Sequence, residues 1–370
     1  MVGDDRDDFE LSCSEPIDMQ TNGVRIWIAT LALGGILHLS LATAGTGDAP
    51  PASNAKFDLK RPEIKQFIHQ AVLKDGVPRS WLTHLMRAGR ARPELMVAME
   101  TAPEKTLAWW EYRNRFVTAQ RIAEGTEFLQ EKKDLLYSVS TESGIPPEYL
   151  VAILGIETNY GRSTGSYREI DTLMTLAFDY PARQDFFRDE LRQFILLARE
   201  AKLHPLDVRG SYGGALGAPQ FMPSSYRRFT VSASQASVPD LWTDWGAILS
   251  SMAKFLNAHG WNSGGAVLTN VTLSPDSSAL PKTALALDET VGGLQGQGVH
   301  FNEEYPDTTP ALLLGLQLED SVCYAVGFKN FYVISRYNPR INYALAAWDL
   351  ARKISRAASD GSESTDSHCY

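Results

Sequence analysis

The chain has 370 residues, 44% of them hydrophobic and 21% charged, the proportions of a globular protein long enough for two or three domains. Its formal net charge is −9, yet residues 1–44 hold seven acidic and two basic side chains, which leaves 33 basic against 37 acidic in the remainder. No basic patch dominates, and nucleic acid is excluded as the expected partner.

Residues 24–44 read VRIWIATLALGGILHLSLATA. Arg25 precedes an apolar run from Ile26 to Leu41, and Ala42-Thr43-Ala44 has the small-x-small form of a processing site. That pattern predicts a secretory leader over residues 1–44, cleaved after Ala44. The expected location is therefore the periplasm, with no integral membrane segment once the leader is removed. An uncleaved anchor helix fits less well, because the apolar run is short. Met19 as the start would give a conventional short basic region before that run. No cysteine follows it, so a lipoprotein anchor is not expected. Cys323 and Cys369 would reach an oxidising compartment, where a disulfide is permitted. Cys369 lies in a Ser/Asp-rich tail, and two separate thiols are the expected state.

Residues 45–56 form a Gly/Pro/Ala-rich linker by composition. From residue 57 to 143 the pattern is helix after helix. Pro62 opens one with Ile64, Phe67, Ile68 and Val72 on a shared face. Trp109, Tyr112 and Phe116 recur at helical spacing, and Thr118 caps a further helix through Ile122 and Phe128 to Leu135. Gly144-Ile145-Pro146-Pro147 breaks the chain and starts a helix from Glu148 to Thr158. Residues 185–200 and 245–259 are again helical, the latter stopped by Gly260. Residues 263–328 change texture, with short runs such as AVLTNVTL and SVCYAVGF that predict strands in a small β-containing unit. Helix returns over residues 343–355, and 356–370 is a polar, disordered tail. The predicted organisation is thus a helical domain at 57–143, a core at 144–262 completed by 329–355, and the β unit between them. The fold class is mainly α, an α+β arrangement.

Two segments carry chemistry. In YLVAILGIETNYG, residues 149–161, Leu150, Ile153, Leu154 and Glu157 share one helix face, because positions three and four apart stack. A carboxyl group is thereby placed at the end of an apolar stripe. Lost hydration disfavours its charged form and raises its pKa, the property a general acid needs to protonate a glycosidic oxygen near neutral pH. A helix-end glutamate facing solvent is the competing reading of that stripe taken alone. In GSYGGALGAPQFMPSSY, residues 210–226, four glycines let the backbone approach a ligand closely, and Ser211, Tyr212 and Gln220 can hydrogen-bond a sugar. A tight structural loop explains the glycines equally well. The loop is no phosphate cradle, since no Gly-Lys-Ser/Thr follows. The histidines show no metal-ligand spacing, and there is no G-x-S-x-G and no dinucleotide fingerprint.

Taken together and in order, these motifs resemble the lytic murein transglycosylase B family. They are Glu-Thr-x-Tyr-Gly ending an apolar helix, Tyr-Pro-x-Arg, and Gly-Ser-Tyr-x-Gly-Ala-x-Gly-x-x-Gln-Phe-Met-Pro-Ser-Ser-Tyr. The similarity runs from about residue 57 to 355. It includes Trp110-x-Tyr112, the Gly144 to Glu148 segment, His259-Gly260-Trp261 and Arg336-Tyr337-Asn338. The resemblance implies a lysozyme-like helical core with an added N-terminal helical domain and a small β domain. It also implies cleavage of the MurNAc–GlcNAc β-1,4 bond of peptidoglycan without water, leaving 1,6-anhydromuramoyl ends. Matched motif by motif, Glu157 takes the catalytic acid/base position. Ser211, Gln220, Arg183, Tyr112, Tyr337, Asn338 and Tyr343 fall where the family lines its cleft, with core packing as the lesser, competing reading of Tyr112 and Tyr343. The partner so implied is the glycan strand, bound by a monomer without a cofactor.

Two departures from the family pattern stand out. Ala182 replaces the first of two successive arginines in Tyr180-Pro181-Ala182-Arg183, which predicts a weaker contact to stem peptide or glycan. Many members carry an EF-hand-like loop before Leu-Trp, whereas residues 232–242 read SASQASVPDLW with Asp240 as the sole carboxylate. Calcium needs several oxygen ligands, usually with more than one carboxylate, so no metal is expected here. Two other functions compete. A hydrolytic muramidase needs a second carboxylate across from Glu157, with Asp171, Asp179 and Asp185 available. A non-catalytic scaffold would have lost the glutamate and kept the cleft, whereas Glu157, Ser211 and Gln220 are all present.

Overall fold

The computed structural model describes residues 54–101, 106–231 and 239–359. The predicted leader therefore lies outside the described residues, as does most of the loop expected to lack calcium. No helix among the described residues is long and apolar enough to cross a membrane.

The helices follow the apolar spacing read above. α1 (Pro62–Asp75) starts on a proline at its first position and buries Ile64, Phe67, Ile68 and Ala71. α2 (Arg79–Ala88) and α3 (Glu94–Glu100) follow, then α4 (Trp109–Phe116). Thr118 caps α5 (Ala119–Glu131), its hydroxyl accepting the Arg121 amide at 3.1 Å. The helix expected to run unbroken to Leu135 instead ends at Glu131, and α6 (Lys133–Ser143) begins two residues later. Gly144 adopts a left-handed φ of 71° at the end of α6, and Pro147 opens α7 (Pro147–Thr158). Leu150 to Ile156 of α7 are buried without interruption, as a helix apolar on every side requires.

After α7 comes a two-stranded ribbon, β1 (Tyr167–Arg168) with β2 (Arg209–Gly210), which brackets α8 (Glu169–Asp179) and α9 (Gln184–Glu200). α10 (Pro223–Phe229) and α11 (Trp245–Ala258) complete this part. The helices on both sides of residue 144 share one apolar core, which runs from Phe57 to Ile354.

The β unit contains β3 (Leu268–Leu273), β4 (Glu289–Thr290), α12 (Val291–Gly296), β5 (Val299–Phe301), β6 (Pro310–Gln317) and β7 (Val322–Gly327). They form an antiparallel sheet in the order β4-β6-β7-β3-β5. β6 is buried on both faces: Ala311 and Leu313 enter a small core with Val291, Leu294 and Val326, whereas Leu312, Leu314 and Leu316 join the helical core. Side chains alternate across a strand, so one strand welds the sheet to the helices. α13 (Lys329–Ile334) and α14 (Ile341–Ala358) close the chain. α14 extends past the expected tail boundary at 356. The fold is lysozyme-like and dominated by helix, with a small sheet, as the fold class anticipated.

Two local expectations are corrected. Lys56 forms an isolated antiparallel bridge with Arg90 rather than lying in a free linker. Cys323, half-buried on β7, is disulfide-bonded rather than a separate thiol; the other two cysteines, Cys13 and Cys369, lie outside the described residues.

Candidate active site

α7 and what surrounds its C-terminal end build the site. Leu150, Ile153 and Leu154 are fully buried beneath Glu157, which is itself half-buried. The helix stops where Asn159 and Tyr160 both take left-handed φ values, 51° and 61°, a strained conformation for residues with a Cβ. Surrounding contacts hold it. The Tyr160 hydroxyl donates to the Arg121 carbonyl at 2.6 Å, and its ring stacks on Phe128. That ring lies so close to Gly155 that an added methyl there would sit 2.7 Å from it. The turn that presents Glu157 is thus keyed into α5 by one aromatic side chain.

Behind the carboxyl, the Tyr343 hydroxyl on α14 donates to Glu157 Oε1 at 2.5 Å. Tyr343 is 2% exposed. Its burial, and next the charge of Glu157, push its phenol well above the usual range, so it remains a donor. Tyr112 is also 2% exposed and stacks on Phe116 at 4.4 Å. α4 is fastened to α14 by Arg113 to Asp349 at 2.9 Å and by Asn342 to the Leu107 carbonyl at 3.0 Å. Tyr112 and Tyr343 are thus both buried, and Tyr343 reaches the site through its hydroxyl on Glu157.

Tyr337 feels the same carboxyl. Burial, then the Glu157 charge, raises its phenol well above the ordinary value, and its buried hydroxyl has no hydrogen-bond partner among the described residues. A buried hydroxyl without a partner costs free energy, which makes it a ready donor for a bound molecule. Asn338, half-buried beside it, belongs to the turn leading into α14.

The loop carrying Ser211 and Gln220 is fastened to the turn after Glu157. Thr158 donates to the Ala218 carbonyl at 2.9 Å, and Gln220 Nε2 donates to the carbonyls of Thr164 and Gly217 at 3.2 and 2.9 Å. Gly165 packs directly on the Gly210–Ser211 peptide, leaving no room for a Cβ. Ser211 Oγ accepts the amides of Ala215 and Gly213 at 3.0 and 3.3 Å. Arg183 stands apart in a short 3₁₀ turn, exposed, its guanidinium over the Phe186 ring at 4.1 Å.

Glu157 opens onto a pocket of about 380 Å³ lined by Thr118, Gln120, Arg121, Glu124, Asn159 and Ser163. Sequence reasoning gave Thr118 only a capping role and missed Arg121 and Glu124. Their spacing of three on α5 placed them on one face, but nothing in that spacing pointed toward α7. Glu124 accepts from Gln120 at 2.9 Å and Arg162 at 3.0 Å, bonds that hold its carboxyl below the usual range. The carboxylates nominated for a second catalytic role lie elsewhere. Asp171 is buried and accepts from Arg168 and the Arg90 amide, Asp179 pairs with Arg61, and the exposed Asp185 pairs with Arg188.

Among the described residues no group of three or more His, Cys, Asp or Glu side chains is placed to hold a metal. Asp240 spends both oxygens in its own turn, accepting the Trp242 amide at 2.7 Å and the Thr243 hydroxyl at 2.5 Å. Leu241 is fully buried, and its carbonyl accepts the Ala218 amide at 2.7 Å.

Comparison with known proteins agrees with this architecture. Residues 59–352 match the family model of the transglycosylase SLT domain. The membrane-bound lytic murein transglycosylase B of Escherichia coli is 33% identical over 305 residues, 80% of this chain and 83% of that one. The soluble lytic transglycosylase SltB1 from Pseudomonas aeruginosa superposes with a TM-score of 0.75 at 36% identity, covering 80% of this chain and all of that one. Slt35 from Escherichia coli, solved in complex with calcium, gives a TM-score of 0.75 at 32% identity over 83% of this chain and 97% of that one. This chain belongs to the lytic murein transglycosylase B family and is a peptidoglycan lytic transglycosylase.

Proposed function

We propose that the enzyme cleaves the MurNAc–GlcNAc β-1,4 bond without water, leaving 1,6-anhydromuramoyl ends, with Glu157 as the sole acid and base. The observation that carries this reading is the carboxyl of Glu157 held by the Tyr343 hydroxyl at 2.5 Å while facing an open pocket. Glu157 gives its proton to the leaving oxygen as the C1–O bond breaks. The positive charge at C1 is met by the substrate's own N-acetyl group. The resulting Glu157 carboxylate takes the proton of the C6 hydroxyl, and that oxygen closes on C1 within the same sugar. The proton count balances and no water enters. Tyr343 keeps the carboxyl oriented through both transfers, and intramolecular attack is favoured because the hydroxyl is already positioned.

Ser211, Gln220, Tyr337 and Asn338 are assigned to the glycan, Tyr337 through its unpartnered hydroxyl. Arg183, with its one guanidinium stacked on Phe186, is assigned to a more distant part of the strand. SltB3 from Pseudomonas aeruginosa, 25% identical with a TM-score of 0.66, was solved with NAG-anhNAM-pentapeptide, a product of the type proposed here. Export by the leader at residues 24–44 would deliver the enzyme to periplasmic peptidoglycan, where it acts as a monomer.

A hydrolytic reading has one specific point in its favour: Glu124 shares the Glu157 pocket. Its bonds to Gln120 and Arg162 engage it elsewhere. Mass analysis of the products from purified sacculi separates the two. Ends lighter by one water and inert to borohydride support the transglycosylase; reducible ends would replace it with a muramidase.

A further inference from the structure

Beneath the glycine loop lies a carboxyl group that the mechanism above does not use. Glu169 opens α8, where its amide donates to the Val208 carbonyl at 3.0 Å. Its side chain is 0% exposed, and among the described residues neither Oε1 nor Oε2 has a hydrogen-bond partner. The loop at residues 210–217 closes directly over it. A methyl group at Gly210 would overlap Oε2 and the Ala215 carbonyl, and one at Gly214 would stand 3.2 Å from Oε1. Bare backbone at these two positions is what allows the loop to rest on the carboxyl. Along a strand successive side chains point to opposite faces. Gly210 faces Glu169, so Arg209 and Ser211 face away from it.

Among the described residues no cation answers this carboxyl. Glu190 on α9 is the charged group that acts on it, and it repels. Glu190 is itself occupied, accepting the Ser224 amide at 2.9 Å and the Ser224 hydroxyl at 2.6 Å. On the neighbouring ribbon, Arg168 is committed to Asp171 and Arg209 is exposed. An isolated charge in such a place is far less stable than the neutral acid. Burial, and then the Glu190 charge, push Glu169 up to about 8.

We propose that Glu169 is a positioning residue: as a neutral acid it supports the loop that carries Ser211 against the turn after Glu157, and its ionisation in alkaline solution displaces that loop. The proposal rests on the reading of Glu157 and Ser211 as parts of one site. The linkage has a definite sign. In the unfolded chain the group loses its proton near its ordinary value of 4.5, whereas in the folded chain it keeps it to about 8. Across that window the folded state binds the extra proton, so stability falls as pH rises. Above it the fold contains a buried charge.

Glu169→Gln tests this, because the amide resembles the neutral acid and cannot ionise. Sacculus lysis by wild type and variant is compared from about pH 5 to about pH 10, and melting temperatures are taken across the same range. The activity ratio of variant to wild type cancels the titration of Glu157. It should be level in acid and climb roughly tenfold per pH unit above about pH 8. The variant's melting temperature should gain on wild type as pH rises to about 8. Melting does not depend on activity, so it reports the Glu169 proton even if the glycosidic reading fails. A level activity ratio with a rising melting gap would overturn the positioning role. Level curves in both would overturn the neutral acid as well. If the amide variant does not fold, Glu169→Met serves with the same readouts.

Discussion

The Tyr343 hydroxyl donates to Glu157 Oε1 at 2.5 Å from a position 2% exposed on α14. A phenol that buried is rigid, and the residue whose carboxyl it holds lines the pocket. Hydrogen bonds to charged groups contribute about 1.5–3 kcal/mol, equivalent to roughly 10–100-fold in rate. Tyr343→Phe should therefore lower kcat on glycan strands by about that factor while KM stays within about twofold. Steady-state kinetics on purified strands measures both. A kcat near wild type would mean that Glu157 does not need this donor.

Gly155→Ala tests the turn from the other side. Its Cβ would stand 2.7 Å from the Tyr160 ring, so the ring that fixes the strained turn must move. Overpacking of this kind costs about 1–3 kcal/mol, and lysis should fall along with stability. Urea unfolding reads the first and a sacculus assay the second. A variant of unchanged stability would show that Tyr160 is not packed as described.

Calcium should leave the melting curve unchanged. A ligand bound only by the native state raises stability in proportion to RT ln(1 + [L]/Kd). Asp240, the sole carboxylate of residues 232–242, already serves the Trp242 amide and Thr243 hydroxyl. Thermal melts in millimolar calcium and in chelator check this, and a clear upward shift lost on Asp240→Ala would reveal a site.

Export can be read by mass. Periplasmic protein should begin after Ala44, as the apolar run and Ala42-Thr43-Ala44 require. Intact-mass measurement that finds the chain still carrying residues 25–41 would indicate a tethered form.

Much of this site was legible because its signals are local. Glu157 stands at the end of a helix whose apolar face and proline start are both written within twelve residues, and Thr118 does cap α5. What was hidden depends on which helices meet. Nothing near Tyr112 or Tyr343 tells that α4 and α14 bury both rings, or that Tyr343 meets Glu157 from another helix. No glycine or proline stands where α5 gives way to α6, so the break at Lys132 left no mark. Glu124 reads as an ordinary surface glutamate until α5 is laid beside α7. Glu169 is harder still, since an acid in the first turn of a helix is usual and favourable. Only the loop closing over it, from forty residues downstream, makes it a buried acid.

The central claim is that one carboxyl does all the proton transfer. Glu157→Gln keeps the shape of the side chain and its contact with Tyr343 but can neither give nor take the proton. General acid–base catalysis is worth roughly 10²–10⁴-fold, and here one residue performs both transfers. Sacculus lysis by this variant, with its melting temperature taken alongside to verify the fold, is the most direct measurement. The account predicts a folded protein with lysis lost by at least about 100-fold. A folded variant within about tenfold of wild type would contradict it.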